Sequence, residues 1–368
     1  MFGLLLILIF LRPFISSLAF PAFNFYYFLA FFVFTIAWFI YKKPPTNCFA
    51  KIKSPLFLFV LVLFYTALLS PDKSVVFARL CQYTGGLALF LVCAGLKEKD
   101  KQKVIYTLLI GGILIACLAI RQYFFGFGAL RDFAIKQGLT DKFIMDNISG
   151  QRVFLPFTTA NMLAGYLAML VGLSLAARHR TIFILFLLPA LFLTRSLGGL
   201  ASVFCGVLIY AFLRKWPRAR WLVSTLVFTI AVTAILYLRL NTGKEYLHFD
   251  FSVFMRLDYW REAFDMALIH PLTGAGLGNF NLPNSRYAHN ILLQLWVEMG
   301  IIGLISFLWL VVTVFILGMR SKINLNWKPA LFAASLIFLL HNLVDFSFFL
   351  PETVSAWWVI MGLLYQPE

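Results

Sequence analysis

The sequence is short of charge, and of acidic residues above all. Only 12% of its 368 residues are Asp, Glu, Lys or Arg, about half of the ~25% usual in soluble domains. So few polar groups cannot clothe a soluble chain of this length. Its five cysteines include no C-x-x-C pair, which argues against a metal knuckle or a disulfide framework. Cys81, Cys93, Cys117 and Cys205 lie inside apolar runs and read as small core residues, while Cys48 stands in a basic stretch. No D-x-D pair offers to hold a divalent metal against a diphosphate. Internal repeats and low-complexity tracts are also missing. The run Gly274-x-Gly276-x-Gly278 follows no strand, so it reads as a turn-forming loop after His270-Pro271 rather than a nucleotide fingerprint.

Apolar residues fill the space instead: 62% of the chain is hydrophobic and 18% aromatic, with 42 Phe. The composition predicts an all-α polytopic membrane helix bundle, one transmembrane domain over 1–368. About twelve transmembrane helices are expected, near 3–20, 23–41, 55–70, 75–96, 104–124, 157–176, 181–194, 198–213, 221–240, 290–318, 329–348 and 354–365. The first resembles a signal peptide, but no basic region precedes it and Arg12 interrupts it, so it is read as an uncleaved span. The seventh and eighth are short and are expected to form a broken pair around Arg195.

The net charge of +16 could signal nucleic acid, an acidic membrane surface or topology. Its distribution decides. Lys42, Lys43, Lys51 and Lys53 share one loop, Lys97, Lys99, Lys101 and Lys103 the next. Arg178 and Arg180 follow, then Arg214, Lys215, Arg218 and Arg220, then Arg320, Lys322 and Lys328. These are 17 of the 31 basic residues, and twelve spans put them all on one side. That side is expected to be cytoplasmic, with both termini there, and nucleic acid drops out as a partner. Two long segments, 125–156 and 241–289, then face outward. In the second, Leu257, Trp260, Phe264, Ala267 and Leu268 form a stripe at helical spacing, with Asp258, Arg261, Glu262 and Asp265 on other faces. An amphipathic helix on the membrane, or over a cavity, is expected.

Charges at membrane depth cost a few kcal/mol each, so their positions are informative. Arg79, Arg152, Arg195 and Arg256 fall in the outward half, as do His289, His341 and Asp345. Guanidiniums without a carboxylate cage suit a polyanion, since they pair bidentately with phosphate oxygens. Arginine would then stabilise charge developing on a leaving diphosphate, and a histidine would accept a proton from an acceptor hydroxyl. The set describes group transfer from a lipid diphosphate at the outer leaflet, with no metal or cofactor. Plainer readings stand beside it. Arg12 and Arg79 could snorkel or hold a carbonyl, and Arg195 could cap a broken helix. Arg256 and Trp260 could form a surface cation–π pair, and Asn290 is a good N-cap. His341 and Asp345, one turn apart, could be a satisfied buried pair. A transporter or flippase is the rival function, although no internal symmetry supports it.

Residues 256–303 resemble the signature block of the O-antigen ligase family: Arg256-x-x-x-Trp260, His270-Pro271-Leu272-Thr273-Gly274-x-Gly276-x-Gly278-Asn279-Phe280, Ala288-His289-Asn290 and Glu298-x-Gly300-x-x-Gly303. Arg152 through Asn161, Ala164-Gly165-Tyr166, Leu193-Thr194-Arg195-Ser196-x-Gly198-Gly199 and His341-Asn342-x-x-Asp345 agree. The likeness runs from about 150 to 350. It implies a metal-independent glycosyltransferase of the bacterial inner membrane, taking a glycan from undecaprenyl diphosphate at the periplasmic face. Lipid A-core is the acceptor in the ligases. O-antigen polymerases and protein O-oligosaccharyltransferases, which share the superfamily, use other acceptors. By motif match Arg195 and Arg256 would hold the diphosphate and His289 would activate the acceptor hydroxyl. Arg152, Arg79, Trp260, Asn290, His341 and Asp345 are the further substrate-binding candidates.

Overall fold

The computed structural model describes residues 1–42, 49–241, 248–282, 285–321 and 326–365. Lys43, Cys48, Lys322, Glu368 and part of the 241–289 segment lie outside the described residues. Among those described, the chain is helical, with one isolated bridge between Leu282 and Ser285. The helices are α1 (Phe2–Leu11), α2 (Pro21–Lys42), α3 (Lys53–Leu69), α4 (Lys73–Ala94), α5 (Glu98–Arg121), α6 (Phe127–Lys136), α7 (Lys142–Ser149) and α8 (Ala160–Ser174). They continue with α9 (Arg180–Leu193), α10 (Leu197–Leu213), α11 (Arg218–Leu240), α12 (Phe249–Ile269), α13 (Ile291–Arg320), α14 (Lys328–His341) and α15 (Pro351–Leu364).

Among the described residues, six segments are long and apolar enough to cross a membrane: α2, Ala50–Leu69, α4, Glu98–Lys136, α11 and α13. Phe2–Phe14, α8, α9, α10 and α14 are apolar but shorter. The chain is a multi-pass membrane protein; about twelve spans were expected, several of them short, and six reach full length among the described residues. At ~1.5 Å per residue, helices of 14 to 17 residues fall short of a ~30 Å hydrocarbon core. They stop early because the chain breaks where the polar residues sit: α9 at Thr194-Arg195 and α14 at His341-Asn342. The 125–156 segment also differs from a simple loop. Helix α5 runs through a π turn at Gln122–Gly126 into α6, and α7 follows.

Small residues let the central helices approach closely, as packing without a hydrophobic drive requires. Helix α8 is buried from Met162 to Ser174 and packs between α5, α9, α10 and α14. Its Gly165 leaves room for the His341 ring, which a Cβ there would overlap. Helix α15 is buried along its whole length. Arg12, expected to snorkel or hold a carbonyl, is buried beside it. Its guanidinium donates to the Asn24 side chain (2.7 Å) and the Ile15 carbonyl (2.9 Å), and lies 3.6 Å from Glu352.

One junction joins α12, the glycine loop and α13. Helix α13 kinks at Gly300 (φ 69°, ψ 177°), which frees the Ile301 amide to bond the Pro271 carbonyl at 2.9 Å. The glycine loop docks there as the expected turn: Ala275 N–H donates to Val297 O (2.7 Å) and Leu277 N–H to Thr66 O (3.1 Å). Helix α12 then packs against α13 through one edge of the expected stripe, Ala267, together with Ala263. Ala263 and Ala267 are buried against Phe280, Leu282, Ala288 and Val297, while Leu257, Phe264 and Leu268 remain about half exposed. The two alanines make the seat because only a small side chain lets the helices touch.

A Cβ at Gly300 would overlap the Leu272 carbonyl and force an L-residue to a positive φ. We expect Gly300→Ala to cost roughly 1–3 kcal/mol and to lower the thermal midpoint in detergent. Gly128→Ala, whose Cβ meets open space, should not. Equal midpoints for the two variants would contradict the junction's role.

Candidate active site

A cavity of about 490 Å³ opens between α10, α11, α12 and α14, near the start of α8. Its lining includes the apolar residues Leu197, Ala201, Val253, Leu257, Leu340 and Val344. It also includes Arg152, Arg239 and Arg256, with His341 and Trp260. Each arginine is fixed by its own stretch of chain. Arg152 precedes α8; its Nε donates to Thr194 O (2.9 Å) and its terminal nitrogen to Asn161 Oδ1 (2.8 Å). Arg256, on α12, reaches across to Val344 O through Nε (2.7 Å) and back to the Ser252 carbonyl (2.8 Å) and hydroxyl. Arg239 ends α11 and reaches the His248 carbonyl at 3.4 Å.

The charges are crowded. Burial, then the guanidiniums of Arg239, Arg256 and Arg195, pulls the Arg152 guanidinium down to about 9, with Asp345 acting against them. Burial also lowers Arg256, opposed by Asp345 and Tyr259. A pocket lined by three guanidiniums, with Asp345 as the carboxylate named in both balances, has a positive surplus that an anion would relieve.

The remaining sequence candidates surround this cavity at different distances. Arg195 stands behind the wall in a left-handed conformation (φ 51°) and donates to Gly150 O (2.8 Å). The expected break lies there, with Ser196 capping α10 through a bond from Gly199 N. His341 is held by Asn161 O (3.0 Å) and by Asp345 Oδ2 (3.4 Å). Two oxygens at Nε2 imply that this nitrogen carries the proton, leaving Nδ1 without a partner in the described structure. Asp345 also receives the Ser347 amide. Burial pushes its carboxyl up, but the hydrogen bond and charge of His341, with His289 and Arg256 nearby, bring it down to about 2.

His289 (φ 52°) sits just before α13, stacked on Tyr259 with centroids 5.5 Å apart and edge-on to Phe346 at 4.7 Å. Its position follows from a buried chain of bonds. Ala288 N–H donates to Gln294 Oε1 (3.1 Å), Gln294 Nε2 to Glu298 Oε1 (2.9 Å), and Gly278 N–H to Glu298 Oε2 (2.9 Å). Nδ1 of His289 is buried without a hydrogen bond. Asn290 is the N-cap of α13, its Oδ1 accepting from Leu292 N and Leu293 N. Arg79 does not line the cavity. It lies over the Tyr287 and Phe349 rings and donates to Phe349 O (2.6 Å), separated from His289 by the Tyr287–Phe346 stack. Arg256 and Trp260 share the cavity wall, but no cation–π contact joins them among the described residues.

Residues 182–308 match the family model described as O-antigen ligase. The chain is similar to that family over this segment, about a third of its length. The match contains Arg195, Arg239, Arg256, Trp260, His289 and Asn290; Arg79, Arg152, His341 and Asp345 lie outside it. No curated protein matches the chain. Arg239 escaped the sequence reading although Leu238-Arg239-Leu240 ends an apolar span as abruptly as Arg79 interrupts one. The same cost of a charge at membrane depth was the signal available.

Burial first, then the charge of Arg256, lowers the His289 imidazole to about 4, with Asp345 opposing. The folded state therefore binds this proton more weakly than the unfolded chain, whose histidine titrates near 6.5. Stability linked to His289 should be full above ~6.5 and decline as pH falls toward 4. Histidine-selective nitrogen NMR should show a neutral ring at pH 6, and an imidazolium there would contradict the burial.

Proposed function

We propose that the chain transfers a glycan from undecaprenyl diphosphate to an acceptor hydroxyl at the periplasmic face of the bacterial inner membrane. Both termini would then lie in the cytoplasm. Lipid A-core is the proposed acceptor, which makes the chain an O-antigen ligase; polymerase and protein-glycosylating members of the superfamily are the alternatives at this point. One observation carries the reading: Arg152, Arg239 and Arg256 line the same cavity as the apolar side chains of Leu197, Ala201, Val253, Leu257, Leu340 and Val344. A lipid diphosphate has the matching two halves, an anionic head for the guanidiniums and an isoprenoid chain for the apolar side.

In the proposed reaction the acceptor oxygen attacks the anomeric carbon as the bond from that carbon to the diphosphate oxygen breaks. The electron pair leaves with the diphosphate, which stays on its lipid. Arg152, Arg239 and Arg256 stabilise the charge appearing there, and Arg195 supports Arg152 from behind through the Gly150 carbonyl. His289 takes the acceptor proton, and direct displacement inverts the anomeric centre. Trp260 and His341 contact the bound donor, with Asp345 holding His341 in one tautomer. Asn290, as N-cap, and Arg79, through Phe349 O and the Tyr287 ring, hold the elements that carry His289 in place.

Purified protein in proteoliposomes, with labelled donor and lipid A-core, tests this. Removing one charge-stabilising group typically costs 10²–10³-fold in kcat, so Arg256→Ala and Arg239→Ala should lose about that much transfer while still inserting. His289→Ala should lose its base-dependent rate, and full transfer by that variant would refute the base assignment. Deleting the gene in its host separates the acceptors. Lipid A-core bare of glycan identifies a ligase, a single repeat unit on it a polymerase, and unmodified glycoproteins a protein glycosylator.

A further inference from the structure

A second cleft, of about 510 Å³, lies between α6 and α7. Its lining mixes Phe127, Met145 and Ile148 with Arg131, Ser149 and Gln151. It adjoins the arginine cavity through one short piece of backbone. Gln151 lines the cleft and its neighbour Arg152 lines the cavity. Gln151 adopts a left-handed conformation (φ 48°), which turns the chain sharply between the two. The wall is braced from both sides. Arg195 holds Gly150 O, Arg152 holds Thr194 O (2.9 Å), and Gln122 Oε1 accepts the Phe154 and Leu155 amides at 2.8 and 3.0 Å. The π turn that presents Gln122 is itself an irregularity often found at functional sites.

We infer that this cleft binds the acceptor glycan, an inference that rests on the transferase reading above. A transferase must hold two substrates side by side, and here consecutive residues, Gln151 and Arg152, line two different cavities. The chemistry of the second suits a sugar. Phe127 gives an apolar floor for a ring face, and Gln151 gives a donor and an acceptor for hydroxyls. Arg131 gives a bidentate donor for a phosphate or carboxylate on the sugar. Both residues are exposed, and among the described residues neither the Arg131 nor the Gln151 side chain has a hydrogen bond to give up. Next to the cleft, Phe124, Phe125 and Phe133 are more than half exposed. An apolar rim beside a polar cleft fits an acceptor that is itself anchored in the membrane, such as the glycan of a glycolipid.

Gly128 lines the cleft, and a Cβ there meets nothing within 4 Å, so Gly128→Trp fills the space without disturbing the helix. The full-length protein in nanodiscs is assayed with labelled undecaprenyl diphosphate-linked glycan as donor and lipid A-core as the acceptor probe. For Gly128→Trp and Arg131→Ala the KM for lipid A-core should rise about tenfold or more, equivalent to roughly 1.4 kcal/mol. Donor KM and donor binding should stay within about twofold of wild type. An unchanged acceptor KM, or an equal rise in donor KM, would overturn the assignment. A binding readout separates this from the transferase reading. Lipid A-core should slow the maleimide labelling added by Ser149→Cys, and should not when Arg131→Ala is also present. Labelling insensitive to lipid A-core refutes the acceptor cleft. Protection by lipid A-core in a protein that binds no lipid diphosphate keeps the cleft and refutes the transferase.

Discussion

Where a helix breaks inside a membrane protein, its last carbonyls lose their helical partners, and no water replaces them in the hydrocarbon region. This chain meets that demand with arginine. Arg256 holds Val344 O beyond the end of α14, Arg152 holds Thr194 O at the end of α9, and Arg195 holds Gly150 O after α7. Arg79 and Arg12 do the same for Phe349 O and Ile15 O. Each guanidinium has five donors in a fixed fork, so securing a carbonyl leaves others for a second partner. Arg152, Arg239 and Arg256 direct theirs to the edge of one cavity. The broken helices and the cation cluster are therefore one feature: the residues that allow the breaks are also the residues that favour an anion.

This dual use dissolves an opposition that the sequence invites. Arg195 reads either as a cap for a broken helix or as part of a functional cluster. In the structure it caps the Gly150 carbonyl and, through that bond, backs the segment carrying Arg152. Asn290 is the N-cap its position suggests, and that cap starts the helix next to His289. Structural and functional readings of one residue separate cleanly only on a surface. At a buried helix end, the bond that satisfies the backbone also sets the geometry of the site.

The apolar runs and the break at Arg195 were legible because they are local: composition, charge spacing and a missing run of apolar residues; the break at His341 was not, since apolar residues continue past it. The seat of α12 was legible only in part: Ala267 belongs to the apolar stripe, but Ala263 does not, since the hydrophobic period weights large residues. The glycine loop was readable as a turn. Its docking on the Gly300 kink depends on a carbonyl brought from Pro271, which no short window contains. Helix lengths were overestimated where an apolar run passed through a break. Arg239 hid at a span end, where snorkelling is the usual explanation, and only the fold shows it beside Arg152 and Arg256.

The central claim is that guanidiniums neutralise the diphosphate of the donor, without a divalent cation. The direct measurement is transfer from undecaprenyl diphosphate-linked glycan by the purified protein in proteoliposomes, with and without excess EDTA. The account predicts equal initial rates in both. Transfer that stops in EDTA and returns with magnesium would contradict it.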